Sequence, residues 1–456
     1  LQSIAESLSE KGVPVLMMDI KGDLSGLAAE GASNPGIEER YKKVGLEYKP
    51  QKFPVELLSI SKEKGVRMRA TVSEFGPVLF SKVLELNDTQ SGLVSLIFKF
   101  CDDNRLPLLD LKDFKKVLQY ISDEGKKEIE KEYGKISTTS AGTILRKVIE
   151  LEQQGAEIFF GELSFDVEDL VRTNSSGQGY ISLFKLTDIQ DKPKLFSTFM
   201  LSLLAEIYAS FPEAGDLEKP KLVVFIDEAH LIFNEASKAL LDQIETIIKL
   251  IRSKGVGIYF CTQNPADIPA SILGQLGMKV QHALRAFTAV DRKSIKMTAE
   301  NYPLTDFYKT EELLTSLGIG EALVTVLSER GTPTPLAATL LKGPRSRMNI
   351  LTPQEIDGII SNSTIAEKYN KTLDSESAYE ILTNKLMAKD EEESEEKAKQ
   401  VQEVKKGRKE KSTMQQVMDS SLTKQVGRTV FRELTRGLLG VLGVGGSTRR
   451  KSRGFF

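Results

Sequence analysis

The 456-residue chain has no tryptophan, only two histidines and only two cysteines. Cys101 and Cys261 are too few for a disulfide framework and lack metal-site spacing, so a reducing compartment is expected, with the cytoplasm as the default. His230 and His282 cannot make a histidine-rich metal centre and argue against a histidine relay. No apolar run approaches the roughly 18 residues that a membrane-spanning helix needs. Lys+Arg 62 against Asp+Glu 64 leaves a formal net charge of -2, which removes any global sign of a nucleic-acid-coating surface.

What remains is a globular composition, 40% hydrophobic and 28% charged, with length for a large core. Leu1, Ile4, Ala5 and Leu8 fall at helical spacing, and 13–20 (VPVLMMDI) follows as a nearly continuous apolar run. Such a run suits a strand buried on both faces, and helix, turn and buried strand form the rhythm of a parallel sheet. Strands are expected at 66–72, 179–186, 222–226, 256–261, 279–284, 321–327 and 335–341, interleaved with helices near 193–210, 238–253 and 268–276. The fold class expected is α/β, a mostly parallel sheet with helices on both faces.

The same texture divides the chain into 1–73 as the start of the core, 74–155 as a helical insertion, and 156–345 as the rest of the core. A helical extension follows at 346–388, then a charged, flexible tail at 389–456. That tail is acidic at 390–396 (DEEESEE) and basic after 424. It offers a docking element for a protein partner or an acidic surface, although most charge runs are simply solvated.

The segment 221–230 (KLVVFIDEAH) carries chemistry. An apolar strand running into Asp-Glu is the Walker B pattern: Asp227 at the strand end holds the shell of a Mg²⁺ ion, and Glu228 polarises the attacking water as general base. Two solvated acids at a sheet edge are the bland alternative. The next strand, 256–261, ends in Thr262-Gln263-Asn264, which puts an amide, Gln263, at the same edge to contact γ-phosphate or the water. Asp19 ends the first strand there too and joins the nucleotide-binding candidates. Arg285 is a candidate to reach a neighbouring subunit's γ-phosphate, and both it and Arg252 could equally be ion-pair partners. His230 is read as orienting a loop and His282 as packing in a strand.

A phosphate-cradling G-x-x-x-x-G-K-[ST] loop occurs nowhere in the chain. Because the sequence opens in a helix that leads to a buried strand, truncation before or within that loop is the expectation, and true loss of nucleotide binding is the competing one.

The blocks DIKGDLSGLA, GDLEKPKLVVFIDEAHLIF, IRSKGVGIYFCTQNPADIP, QLGMKVQHALRAFTAVD and GIGEALVTVL, in that order, resemble the bacterial HerA-like helicase family of YjgR type, in the FtsK–HerA branch of P-loop ATPases. DSESAYEIL and VGRTVFRELTRGLLGVLG extend the resemblance over most of the chain. It implies a RecA-like ASCE domain with ATP and Mg²⁺ as cofactors and a hexameric homo-oligomeric ring. It also implies Asp227 as the metal residue, Glu228 as the catalytic acid, Gln263 as sensor and Arg285 as a finger acting in trans. Double-stranded DNA is the implied substrate of such a motor. An ATPase that remodels protein partners and a non-catalytic relative stay open as alternatives. The letters DEAH at 227–230 do not make the chain an RNA helicase of that name, because the second RecA-like domain and its arginine-bearing segment are missing.

Overall fold

The computed structural model describes residues 1–215, 217–233, 238–371, 373 and 375–409, without the side chains of 239, 240 and 400–409. The basic stretch after residue 424 lies outside the described residues. By internal contacts the chain falls into two units, Leu1–Thr383 and Asn384–Phe456.

In the first unit six strands form one sheet, β1 (Val15–Asp19), β2 (Val55–Ser59), β3 (Val66–Arg67), β4 (Ile181–Lys185), β5 (Leu222–Ile226) and β6 (Val256–Phe260). Their order is β3-β2-β4-β1-β5-β6 and every pair is parallel. β1 and β5 are buried along their whole length, as the apolar runs 15–18 and 222–226 require. One face of the sheet packs Val15, Met17, Leu57, Ile181, Leu183, Val223 and Phe225 into a single core. Helix Pro193–Ser210 buries residues all round its circumference, among them Phe196, Phe199, Met200 and Leu203.

β2 has no counterpart among the expected strands. Glu56 interrupts its apolar run, and that carboxylate is only 2% exposed because Ser363 donates to it at 2.6 Å and Arg172 lies 3.4 Å away. A buried charge with its own partners breaks the pattern from which strands are read.

Between β3 and β4 the chain forms the helices Val72–Val83, Asp88–Asn104, Leu111–Ser122, Lys126–Glu132 and Thr138–Gln153. Three of these start at reciprocal capping boxes on Thr71, Asn87 and Asp110. Their shared interior is aromatic, with Phe80 against Phe114 at a ring-centroid distance of 4.8 Å.

The run 279–284 departs from expectation. Only Lys279–Gln281 is extended (β7), and it pairs antiparallel with β8 (Glu321–Thr325), which pairs with β9 (Ala337–Leu340) in a separate three-stranded sheet. None of the three β7 residues is buried, whereas a strand within a helix-covered parallel sheet must be apolar on both faces.

Residues 342–371 and 375–383 run back over the core as a strap. Near its start, Glu6 of helix Gln2–Glu10, fully buried, accepts the backbone N–H groups of Arg345 and Ser346 at 3.0 Å and the Ser346 hydroxyl at 2.6 Å. Further on, Leu351 N–H donates to the Ser25 hydroxyl, Asn370 accepts from Arg67 N–H, and Tyr379 N–H donates to Asp113 in the helical segment. In the second unit the described residues continue helix Ala378–Lys409, with Glu393–Lys397 and Glu395–Lys399 pairs one turn apart.

Replacing Glu6 by Ala strands several buried donors at once. Glu6→Ala is expected to lower stability by about 3 kcal/mol in urea unfolding; an unchanged midpoint would mean that the strap does not depend on this carboxylate.

Candidate active site

Register creates the site. Met18 of β1 lies opposite Ile226 of β5, and Ile226 lies opposite Phe260 of β6. Asp19, Asp227 and Cys261 are therefore the next residues on three adjacent strands, all at the carboxyl edge where open α/β sheets bind ligands. Asp227, Glu228 and Gln263 come together there; Asp19 shares the edge, and Arg285 does not.

Glu228 has φ of 47°, in the left-handed region that costs a non-glycine residue on the order of 1 kcal/mol or more. The conformation is fixed on both sides: Ala229 N–H donates to the Cys261 carbonyl at 2.9 Å, and the Glu228 carbonyl accepts Leu231 N–H as helix His230–Phe233 begins. The backbone turns sharply after Asp227 and leaves the Glu228 carboxylate 8% exposed, with both oxygens engaged. Gln263 Nε2 stands 3.5 Å from each oxygen, His230 Nδ1 is 3.3 Å from Oε2, and Lys21 Nζ forms an ion pair with Oε1. Burial pushes the Glu228 carboxyl up, but the Lys21 ammonium, the Gln263 amide and the neighbouring His230 outweigh it and hold the group below the usual range. Lys21 is raised in turn by the same pair.

Asp227 behaves in the opposite sense. Burial raises it, the Glu228 N–H offsets part of the rise, and the neighbouring Glu228 charge adds to it. Among the described residues no cluster of three or more His, Cys, Asp or Glu could cage a metal ion. A lone carboxylate nevertheless suits Mg²⁺, which takes one or two carboxylates and fills the rest of its shell with water and substrate phosphate oxygens. Asp227 therefore fits a metal that is shared with a phosphate ligand.

Gln263 is carried by a braced turn: Thr262 donates to Asp267 at 2.8 Å, and Asn264 caps Pro265–Asp267 through Ala266 N–H. Burial, together with the charge of Asp227, pushes the Cys261 thiol up to about 12, so it is no nucleophile.

Asp19, 1% exposed, accepts the N–H groups of Gly22, Asp23 and Leu24 at 2.7, 3.1 and 3.3 Å, and so shapes the loop after β1. That loop brings Lys21 to Glu228. Gly22 turns it with φ of 79°, and a Cβ there would meet Thr187 Cγ2 at 2.7 Å. Lys21 lies within the block DIKGDLSG, yet an isolated lysine in a polar loop gives the sequence no sign of its partner. Arg285 is exposed and donates to the carbonyls of Thr315 at 2.5 Å and Leu317 at 3.3 Å, closing the end of helix Thr310–Ser316. Arg252 opens a short turn after helix Lys238–Ile251 and is also exposed. His282, read as a packing residue, is exposed, with Nδ1 3.0 Å from the Glu321 carbonyl.

A model of the family described as "Helicase HerA-like C-terminal" matches residues 1–450. The chain belongs to that family. The expected α/β fold class agrees with the six-stranded, all-parallel sheet. Over 157 residues this HerA-like chain is 32% identical to "Probable helicase MJECL08" of Methanocaldococcus jannaschii, a match covering 32% of the chain and 28% of that relative. The chain thus spans a little over a quarter of the relative's length. Among solved structures it is similar to the plasmid coupling protein TrwB in complex with the ATP analogue ADPNP, at TM-score 0.49 and 12% identity, covering 77% of this chain and 84% of that one. VirB4 of Thermoanaerobacter pseudethanolicus is similar at TM-score 0.46 and 12% identity, with 78% and 86% covered. Among the described residues no helix is long and apolar enough to cross a membrane.

Burial raises Asp19 from 3.8 to about 6, against the pull of the Leu24 and Gly22 N–H groups. The folded state therefore binds more protons than the unfolded chain between those values, and stability falls as pH rises through them, by about 2–3 kcal/mol from this group. Asp19→Asn keeps the oxygen that accepts from Gly22 and Asp23, gives up the one that accepts from Leu24, and removes the titration. Urea unfolding from pH 4 to 7 is expected to show the parent losing that stability relative to the variant, and parallel curves would refute the assignment.

Proposed function

We propose that the protein is a Mg²⁺-dependent ATP-hydrolysing motor of the HerA/FtsK type that acts as a ring-shaped helicase or DNA translocase. The observation that carries the reading is the convergence of Asp227, Glu228 and Gln263 at the ends of two adjacent parallel strands. In this mechanism Glu228 takes a proton from water as the water oxygen bonds to the γ-phosphorus. The bond to the β–γ bridging oxygen breaks, and ADP leaves. Gln263 holds the Glu228 carboxylate and the water in register, and Asp227 holds the metal shell. Mg²⁺, when bound, neutralises charge on the β and γ oxygens. The cradle for the α and β phosphates is not assigned to any residue of this chain.

Assembly as a homo-oligomer, a hexameric ring in this reading, would cover large apolar side chains that are exposed in the segment after Arg285. Phe287 is 88% exposed, Phe307 87% and Ile319 94%. Arg285 is the residue assigned to reach the neighbouring subunit's γ-phosphate, giving up its carbonyl partners to do so.

In the full-length gene product Glu228→Gln is expected to lower kcat at least about 100-fold while nucleotide binding persists; an unchanged kcat would remove Glu228 from the mechanism. Duplex DNA is expected to stimulate the parent's turnover, whereas stimulation by a protein partner alone would favour the remodelling ATPase. Arg285→Ala is expected to abolish hydrolysis with ATP binding retained, and mixing it with Glu228→Gln subunits should restore part of the turnover. Normal turnover with a lowered melting temperature would leave Arg285 only its carbonyl-binding role.

A further inference from the structure

The ion pair between Lys21 and Glu228 has no part in the chemistry above, yet it occupies the group that chemistry needs. A general base needs a lone pair turned toward water. Here one Glu228 oxygen faces Lys21 and Gln263, and the other faces Gln263 and His230. The two partners differ in freedom. Glu228 is 8% exposed and fixed by its left-handed backbone, while the Lys21 side chain is 48% exposed on a flexible stem. The loop under Lys21 is held from below by Asp19 and from the side by Gln190, whose Nε2 donates to the Ile20 carbonyl at 2.6 Å.

We propose that Lys21 is a latch on Glu228: in the resting protein its ammonium holds the carboxylate away from water, and hydrolysis proceeds when the lysine swings outward. Lys21 is thus a positioning residue acting through Glu228. Of the two partners only the lysine can leave, and the turn through Thr187 and Gln190 is the element whose movement would carry it. The inference rests on Glu228 being the general base.

Two measurements on the full-length protein test it. The first needs no nucleotide: lysine acylation by an N-hydroxysuccinimide ester, read by peptide mass spectrometry. Lys21 is expected to label slowly in the parent and about threefold or more faster, relative to other lysines, in Glu228→Ala. Equal labelling would overturn the contact. The second is steady-state turnover. Lys21→Met, with an unchanged melting temperature, is expected to raise basal kcat several-fold at constant KM, and Lys21→Arg is expected to restore the low parental rate. A merely structural lysine cannot produce a gain in rate. If Lys21→Met lowers kcat while Glu228→Gln is inactive, the latch is overturned and the general base survives. If Glu228→Gln turns over at the parental rate, both fall, whatever the labelling shows.

Discussion

Parallel pairing in register is the constraint on which the rest depends. Met18, Ile226 and Phe260 stand abreast, so the residues that follow them emerge together at one edge of the sheet. Nothing in the separate sequences of those strands requires this. It follows from buried apolar strands that have to share hydrogen bonds, and it converts three distant stretches of chain into one small polar surface. The apolar content of β1 and β5 therefore serves chemistry as directly as the carboxylates do.

Electrostatics at that surface separates two adjacent acids. Asp227 is raised by burial and by its neighbour's charge, whereas Glu228 is held low by Lys21, Gln263 and His230 despite its own burial. A sharp turn between them, with the second residue in a left-handed conformation, gives each acid a different environment within a single peptide unit. The division of labour proposed for them, metal shell and proton acceptor, follows that contrast.

The apolar runs at 13–20 and 222–226 announced buried strands, and the acid pair announced its own edge, because both signals are local. β2 was hidden by Glu56, whose partners Arg172 and Ser363 lie far away in the chain. Membership of β7 in a second sheet was hidden because three extended residues carry no sign of their partner, and only their half-exposed sides distinguish them. In the site, Asp227, Glu228 and Gln263 could be placed from sequence, since each ends a recognisable strand. Lys21 could not, because its meaning comes from a residue more than two hundred positions away, and Asp19 was legible as an edge residue but not as the anchor of the Lys21 loop.

The strap has a consequence for the order of events on the ribosome. Among the described residues Glu6 takes its hydrogen bonds from Arg345 and Ser346, 339 and 340 residues later. At about 5–20 residues per second, the helix that carries it waits roughly half a minute before its partner has been synthesised. Through that interval the face of Gln2–Glu10 that will meet the strap must stay solvated or shielded. A segment translated late thus seals one translated some 340 residues earlier, and nascent chains of this protein are expected to draw on chaperones late in synthesis.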